Sequence, residues 1–353
     1  MSRLRIGLIG CGHIGRVVHL ETLRRLPNAQ VVSLADADGD RLKLAHAKIP
    51  EAATFSDYRR LLDDDGIDAV VICLPNALHA EAAVVALERK KHVYLEKPLA
   101  VNLDEGKAVL EAWERSGRVG MIGFNYRFNP LHREMRRLLQ TTAIGNPIGG
   151  RTAWTTAAER LPVWKTARLT GGGVLLDLAS HHFDLMRFWF DEEIVEVYAN
   201  VRSQRSEYDT ASVQVRLSGG LLVENFFSMS SIEDEQFEIY GSTGKLSFNR
   251  FKSWNIEKDG RRVQSIVRRT LGRIVSRLPN SRYAITKLRA PGLEPSFSAA
   301  LVEFVSAAQV EKQIHPDLED GFKSLRVVIA AEESARLGRP VSIGSPSRVW
   351  PNE

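Results

Sequence analysis

Six residues near the start of the chain, Gly10-Cys11-Gly12-His13-Ile14-Gly15, have the types and spacing to cradle a pyrophosphate. They follow a short apolar run and open a helical one. In that setting the first glycine permits a tight turn and the second lets the backbone approach an anion. The third lets helix and strand pack closely, while the helix N-terminus supplies N–H donors. Asp36 ends the next strand, 21 residues after Gly15, where a carboxylate would bind the hydroxyls of an adenosine ribose. A carboxylate there repels a 2′-phosphate, so NAD is expected over NADP; Arg41 is the cation through which NADP would be accepted. Gly10, Gly12, His13, Ile14, Gly15 and Asp36 are thus the expected cofactor contacts. Asp177 and His181 lie four apart in a helical pattern, hence on one face. Such a pair is either a surface ion pair or an acid–base pair suited to neutral pH. Lys97, followed by Pro98 at a strand end, is either the head of a solvated turn or an ammonium placed to stabilise an oxyanion.

The elements that must position these groups fall into two patterns. Up to about residue 124, apolar runs at Leu4–Ile9, Val31–Ala35, Ala69–Leu74, Val93–Leu95 and Val119–Phe124 alternate with helical stretches. Continuous apolar strands of this kind belong to a parallel sheet covered on both faces, and their alternation with helices implies a doubly wound α/β domain. Asn102 with Glu105 forms a capping box for a helix ending near Gly117, and Ser56 is expected to cap a helix through Leu62. Beyond residue 125, strands at Ile148–Ala157, Ile194–Val201, Ala211–Leu217, Leu221–Met229, Glu235–Tyr240 and Lys245–Phe248 follow one another without helices between most of them. Ser212-Val213-Gln214-Val215-Arg216-Leu217 alternates as an antiparallel strand with one solvated face does. Helices are expected at about Val174–Phe190, Phe297–Gln309 and Asp317–Leu337. The chain therefore reads as a Rossmann-type domain, 1–124, and an α+β domain, 125–353, built on an open, mostly antiparallel sheet.

Composition narrows the setting. With 353 residues, 44% hydrophobic and 26% charged, the chain has the length for two globular cores. No secretory leader and no membrane-spanning run is visible, so a cytoplasmic protein is expected. Cys11 and Cys73 sit at strand ends with no metal-ligand spacing, and both are expected reduced. No metal site is expected from the scattered histidines. The net charge of +5 is local in origin: twelve Lys and Arg lie between Arg250 and Ala290 against Glu257 and Asp259, so the rest of the chain is negative. Within that stretch, residues 264–278 read as an amphipathic basic helix, with Val267, Leu271, Ile274 and Leu278 on one side. A subunit contact or a solvated cover accounts for it; docking to a diphosphate or to an anionic membrane surface is the sharper reading and is not favoured. Nucleic acid is not expected, since no recognised module accompanies the charge.

Further motifs stand in order along the chain: Pro75-Asn76-Ala77-Leu78-His79, Glu96-Lys97-Pro98, Gly171-Gly172-Gly173-Val174-Leu175-Leu176-Asp177-Leu178-Ala179-Ser180-His181, Gly241-Ser242-Thr243-Gly244 and Gly338-Arg339-Pro340-Val341. With the glycine fingerprint, this set resembles the Gfo/Idh/MocA oxidoreductases from Arg5 to about Ile343. The resemblance implies an NAD(P)-dependent oxidoreductase that moves a hydride between the nicotinamide and a carbinol or keto carbon of a sugar, cyclic polyol or sugar nucleotide. It implies Lys97, Asp177 and His181 as catalytic residues that also touch substrate, with a cis peptide before Pro98. Pro75, Asn76, His79, Glu96, Lys97 and Trp164 are implied cofactor contacts, and Arg127 an implied substrate contact. Ala179 departs from the glycine usual two residues after the aspartate, and His182 competes with His181 for its role. A redox-neutral, NAD-dependent glycosidase and a non-catalytic NAD-binding sensor are the alternatives. A homodimer or homotetramer formed through the open sheet is expected.

Overall fold

The computed structural model describes residues 2–157, 161–260, 283, 287, 290 and 294–344. These form two compact units: Met1–Arg133 with Leu169–Gly172 and Pro279–Leu325, and Glu134–Arg168 with Gly173–Leu278 and Arg326–Glu353. The basic stretch 264–278 lies outside the described residues.

The first unit is a six-stranded sheet of β1 (Leu4–Ile9), β2 (Ala29–Ala35), β3 (Ala53–Phe55), β4 (Ala69–Ile72), β5 (His92–Leu95) and β6 (Gly120–Ile122). The strands lie in the order β3-β2-β1-β4-β5-β6 and every pair is parallel. Helices α1 (Leu20–Leu23), α2 (Gly39–His46), α3 (Tyr58–Leu62), α4 (His79–Glu88) and α5 (Leu103–Ser116) make the crossovers. Strands β4 and β5 are buried at every position, which is why they read as unbroken apolar runs. The strand order reverses between β1 and β4, so the turns after both strands meet at one end of the sheet, where such folds bind ligands. The α5 capping box forms: Glu105 N–H donates to Asn102 Oδ1 at 2.9 Å, and Gly117 closes the helix at φ +65°. The α3 cap is Asp57, which accepts from Arg59 N–H, and not Ser56. Strand β3 escapes detection in the sequence because only Phe55 of its three residues is even partly buried.

A cut of the chain at residue 124 leaves α8 (Pro295–Gln309) with the second domain, yet α8 packs in the first unit. Its Ala300, Leu301, Phe304, Val305 and Ala308 are buried in one core with Leu4, Ile6, Leu8, Leu20, Leu23 and Tyr94. The apolar stripe of α8 joins α1 in covering that core, and sequence distance carries no trace of the choice.

The second unit contains α6 (Pro130–Gln140) over most of its length, α7 (Ser180–Phe190), and an eight-stranded sheet. Its strands are β7 (Pro147–Thr155), β8 (Ile194–Arg202), β9 (Thr210–Leu217), β10 (Leu222–Ser228), β11 (Asp234–Gly241), β12 (Gly244–Asn249), β13 (Glu257–Gly260) and β14 (Val341–Ser342), in the order β13-β12-β11-β7-β10-β9-β8-β14. All pairs are antiparallel except β7 with β10. Along β9, Ala211, Val213, Val215 and Leu217 are buried while Ser212 and Gln214 face solvent. The helix expected over 174–190 is a π-helical turn, Leu175–Ala179, followed by α7. The last helix, α9, spans Leu318–Leu337. No described helix is long and apolar enough to cross a membrane.

Candidate active site

The glycine loop of the first unit has the shape an anion cradle needs. Gly10 has φ +93°, and a Cβ there would lie 2.5 Å from the Cys73 carbonyl oxygen. A Cβ on Gly15 would lie 2.0 Å from the Gly10 oxygen, so the helix packs on the turn with no room for a side chain. A Cβ on Gly12 would meet nothing within 4 Å, which leaves backbone N–H groups open at a helix start. The helix opens with a π-helical turn, Ile14–His19, before α1. His13 is exposed and Ile14 half-buried. The Asp36 carboxylate accepts from Cys11 N–H at 2.7 Å and Asp38 N–H at 2.8 Å, which fixes it beside the loop. Arg41 pairs with Asp38 at 3.3 Å on the exposed start of α2. An acid beside the loop, with the nearby arginine already engaged, fits NAD better than NADP. Both cysteines are free and buried, and burial pushes the Cys11 thiol up to about 12.

After β4, Pro75 leads into a short 3₁₀ turn, Asn76–Leu78, and then α4. Buried Asn76 donates from Nδ2 to the Gly171 carbonyl at 2.7 Å. The His79 ring lies between two carbonyls, with Nδ1 2.7 Å from Pro98 O and Nε2 2.8 Å from Leu74 O. Burial lowers its pKa although both carbonyls favour the protonated ring. After β5 come Glu96, Lys97 and Pro98, with the Lys97–Pro98 peptide cis. Glu96 is buried, 2.6 Å from His19 Nε2 in the π-helical turn of the cofactor loop. It therefore braces Lys97, which is half-buried. Arg127 is held in a buried fork pair: its guanidinium lies 3.2 and 3.0 Å from the two Asp320 oxygens. The sequence does not reveal this pairing, because Asp320 lies nearly 200 residues away.

Asp320 also lies with His315 and Asp317 in a cluster close enough to share a cation. His315 Nδ1 sits 3.1 Å from Asp320 and 3.3 Å from Asp317, and Asp320 raises its pKa. The Arg127 guanidinium already supplies positive charge there.

In the second unit Gly173, at φ +96°, turns the chain into the π-helical turn. Val174 N–H donates to Tyr208 O at 2.8 Å and Asp177 N–H to Gly173 O at 3.1 Å. Single π-turns inside helices recur at functional sites. Asp177 sits in this turn and His181 in the first turn of α7, so they are not the simple i,i+4 stripe of one α-helix. Both are nonetheless buried, at 4% and 5% exposure. His181 packs beside Trp154, ring centroids 5.7 Å apart. His182 is committed elsewhere: Nδ1 lies 2.8 Å from Thr152 Oγ1, Nε2 lies 3.2 Å from Glu235, and its ring stacks on Trp154. Burial lowers its pKa against the pull of Glu235.

One group was missed in the sequence. Lys165, beside Trp164 in the 3₁₀ turn Val163–Thr166, reaches Asp177 Oδ2 with its ammonium at 2.7 Å. The adjacency of Trp164 and Lys165 is visible in the sequence; the pairing across twelve residues of irregular chain is not.

Comparison with known proteins agrees with this architecture. Residues 4–146 match the model of an oxidoreductase family with an NAD-binding Rossmann fold, and residues 132–247 match the GFO/IDH/MocA C-terminal domain. An inositol 2-dehydrogenase of Rubrobacter xylanophilus is 30% identical over 354 residues, 97% of this chain and 94% of the relative. A myo-inositol 2-dehydrogenase of Thermotoga maritima is 29% identical over 252 residues, 69% of this chain and 74% of the relative. The crystal structure of the WlbA dehydrogenase of Bordetella pertussis, in complex with NADH and UDP-GlcNAcA, superposes with a TM-score of 0.83. That structure is 21% identical and covers 98% of this chain and 99% of its own, a likeness of fold. A glycine cradle at the sheet's switch point, a fixed acid beside it, and matches to both domain models lead to one conclusion: the chain belongs to the Gfo/Idh/MocA family of NAD-dependent oxidoreductases.

Proposed function

We propose that this enzyme oxidises a secondary hydroxyl of a cyclic polyol or sugar, or reduces the matching ketone, with Lys97, Asp177 and His181 as the reacting groups. The observation that carries the reading is the burial of Asp177 and His181 within one turn of each other. Buried titratable groups are costly, and a cluster of them in a core is a candidate functional site. When bound, the nicotinamide of NAD supplies the hydride acceptor, or the donor in reverse. Gly10, Gly12, His13, Ile14, Gly15 and Asp36 would hold the dinucleotide, with Pro75, Asn76 and Trp164 at its nicotinamide end. His79 and Glu96 would act there by bracing the turn that bears Lys97.

In the oxidative direction the neutral His181 ring takes the hydroxyl proton as the C–H bond breaks. The Asp177 carboxylate steadies the imidazolium that forms, and the Lys97 ammonium bonds the oxygen while it carries negative charge. The products are a ketone, the reduced cofactor and a proton left on His181. In reverse, Lys97 polarises the carbonyl and His181 returns the proton. A cyclic polyol is favoured over a sugar nucleotide because relatives near 30% identity are inositol 2-dehydrogenases by name. Subunit pairing through the outward face of the eight-stranded sheet belongs to the same reading. That face bears a depression of about 650 Å³ lined by Arg151, Tyr198, Gln214, Glu224 and Phe226.

The test is cofactor reduction, followed by absorbance, with NAD or NADP against inositols, aldoses and sugar nucleotides. One polyol or sugar class should reduce NAD, and Lys97→Ala should lower kcat by about a hundredfold or more. Tight NAD binding with no turnover across the panel, or full activity in Lys97→Ala, would overturn the proposal.

A further inference from the structure

The turn 163–166 has its polarity reversed. Val163 is 87% exposed, whereas the Lys165 side chain beside it is only 22% exposed and ends on Asp177. A lysine on a surface turn ordinarily keeps its ammonium in water and leaves the apolar neighbour to seek cover. Here the chain gives up both preferences to bring an ammonium to a carboxylate that is 6% exposed.

The turn is also held in place. Lys165 N–H donates to Pro162 O at 2.9 Å, and Glu207 N–H donates to Thr166 O at 3.0 Å. Arg168 N–H donates to Glu207 Oε2 at 2.7 Å, and the Arg168 guanidinium forks onto Glu332 at 2.6 and 3.1 Å. The loop carrying Glu207 is itself tied by buried Asp209, which accepts from Gln204, Arg205 and Ser206 N–H and from Ser230 Oγ. The Trp164 ring lies 5.3 Å from the Lys165 ammonium, a cation–π distance that limits its wandering. Among the described residues, the charged groups bonded about this turn include Arg168, Glu207 and Glu332, with Arg168 bonded to both carboxylates. Lys165 is a cation bonded to Asp177.

We propose that Lys165 is a positioning residue for the reaction: its ammonium holds the buried Asp177 carboxylate charged and aimed, so that Asp177 can steady the protonated form of His181. This rests on the assignment of Asp177 and His181 to proton transfer. A buried carboxylate that loses a bonded cation takes up a proton more readily, and a protonated Asp177 gives an imidazolium no support. Without the lysine's positive charge, His181 also holds its proton to higher pH. Both changes act in the same direction: the form with Asp177 charged and His181 neutral appears only at higher pH.

The experiment is the pH profile of kcat/KM for polyol oxidation in wild type, Lys165→Met and Lys165→Arg. For Lys165→Met the acid limb should move up by about one pH unit or more, the range for losing an opposite charge in contact. Activity should recover towards wild type above that limb, and KM for NAD should stay unchanged. Lys165→Arg should restore the limb. Loss by the same factor at every pH, or an unmoved profile, would overturn the assignment. Should Lys165→Met fold poorly by circular dichroism, Lys165→Gln takes its place. Asp177→Asn and Lys97→Ala separate the two layers of argument: if both stay active, the reaction reading has failed. If both are inactive while Lys165→Met keeps the wild-type limb, only the role of Lys165 has failed.

Discussion

The head of the cofactor helix and the head of the Asp177 helix start alike and end differently. Each enters from a glycine with positive φ, Gly10 at +93° and Gly173 at +96°, and each passes through a π-helical turn, Ile14–His19 and Leu175–Ala179. In the first, Gly12 meets open space and the turn offers backbone N–H groups. In the second, the turn and the helix after it carry Asp177 and His181, buried side chains whose chemistry depends on what lies against them. One device thus serves two kinds of recognition. Backbone recognition needs only that side chains be absent, whereas side-chain recognition needs partners delivered by other segments.

The largest effect that would break this comparison is expected at Gly10. Gly10→Ala forces an alanine into φ +93° with its Cβ 2.5 Å from backbone, and neither atom is the end of a flexible side chain. It should cost about 3 kcal/mol or more, read as a lower thermal midpoint or loss of soluble protein. Gly12→Ala should do the opposite. With nothing within 4 Å of the added methyl, stability should stay within about 0.5 kcal/mol of wild type. NAD affinity should nonetheless fall tenfold or more by calorimetry, since the methyl occupies the face the dinucleotide approaches. A Gly12→Ala protein that binds NAD normally would show that the loop does not work through its bare backbone.

The same contrast explains what could be read beforehand. The first unit's sheet was legible, β3 excepted, because strands buried on both faces such as β4 and β5 leave unbroken apolar runs, and the cradle because glycine is the one residue that permits it. Lys97, Asp177 and His181, the groups of the reaction proposed above, came from the family motifs alone. Lys165 was not legible, since a lysine in a turn looks the same whether its ammonium meets water or Asp177. Arg127 shows the converse: the resemblance implied a substrate contact there, and its pairing with Asp320, from the chain's far end, left no trace in the sequence. The packing of α8 against β1 was hidden likewise, because an amphipathic helix records that it covers something and not what.

The smallest effect compares a buried histidine in each unit. His79 lies between two carbonyl oxygens, and His182 between the Thr152 hydroxyl and the Glu235 carboxylate. Burial lowers both below the ordinary value of 6.5. Above that value neither the folded nor the unfolded chain protonates them, so stability is flat with respect to these groups. As pH falls below about 6.5, the unfolded chain takes up protons that the native rings refuse, and native stability declines. The slope is at most about 1.4 kcal/mol per pH unit for each histidine. The carboxylates of Asp68 and Asp209, held low by their bonds, lose their contribution only as pH falls below about 3.8. Urea unfolding of His79→Gln and His182→Gln between those limits, as differences from wild type, isolates each ring. Each variant should flatten the acid slope, even where its absolute stability is lower. A His79→Gln protein with the wild-type slope would mean that two carbonyl acceptors hold that ring protonated despite its burial. The turn carrying Lys97 would then be braced by a charged histidine and the second unit's core by a neutral one.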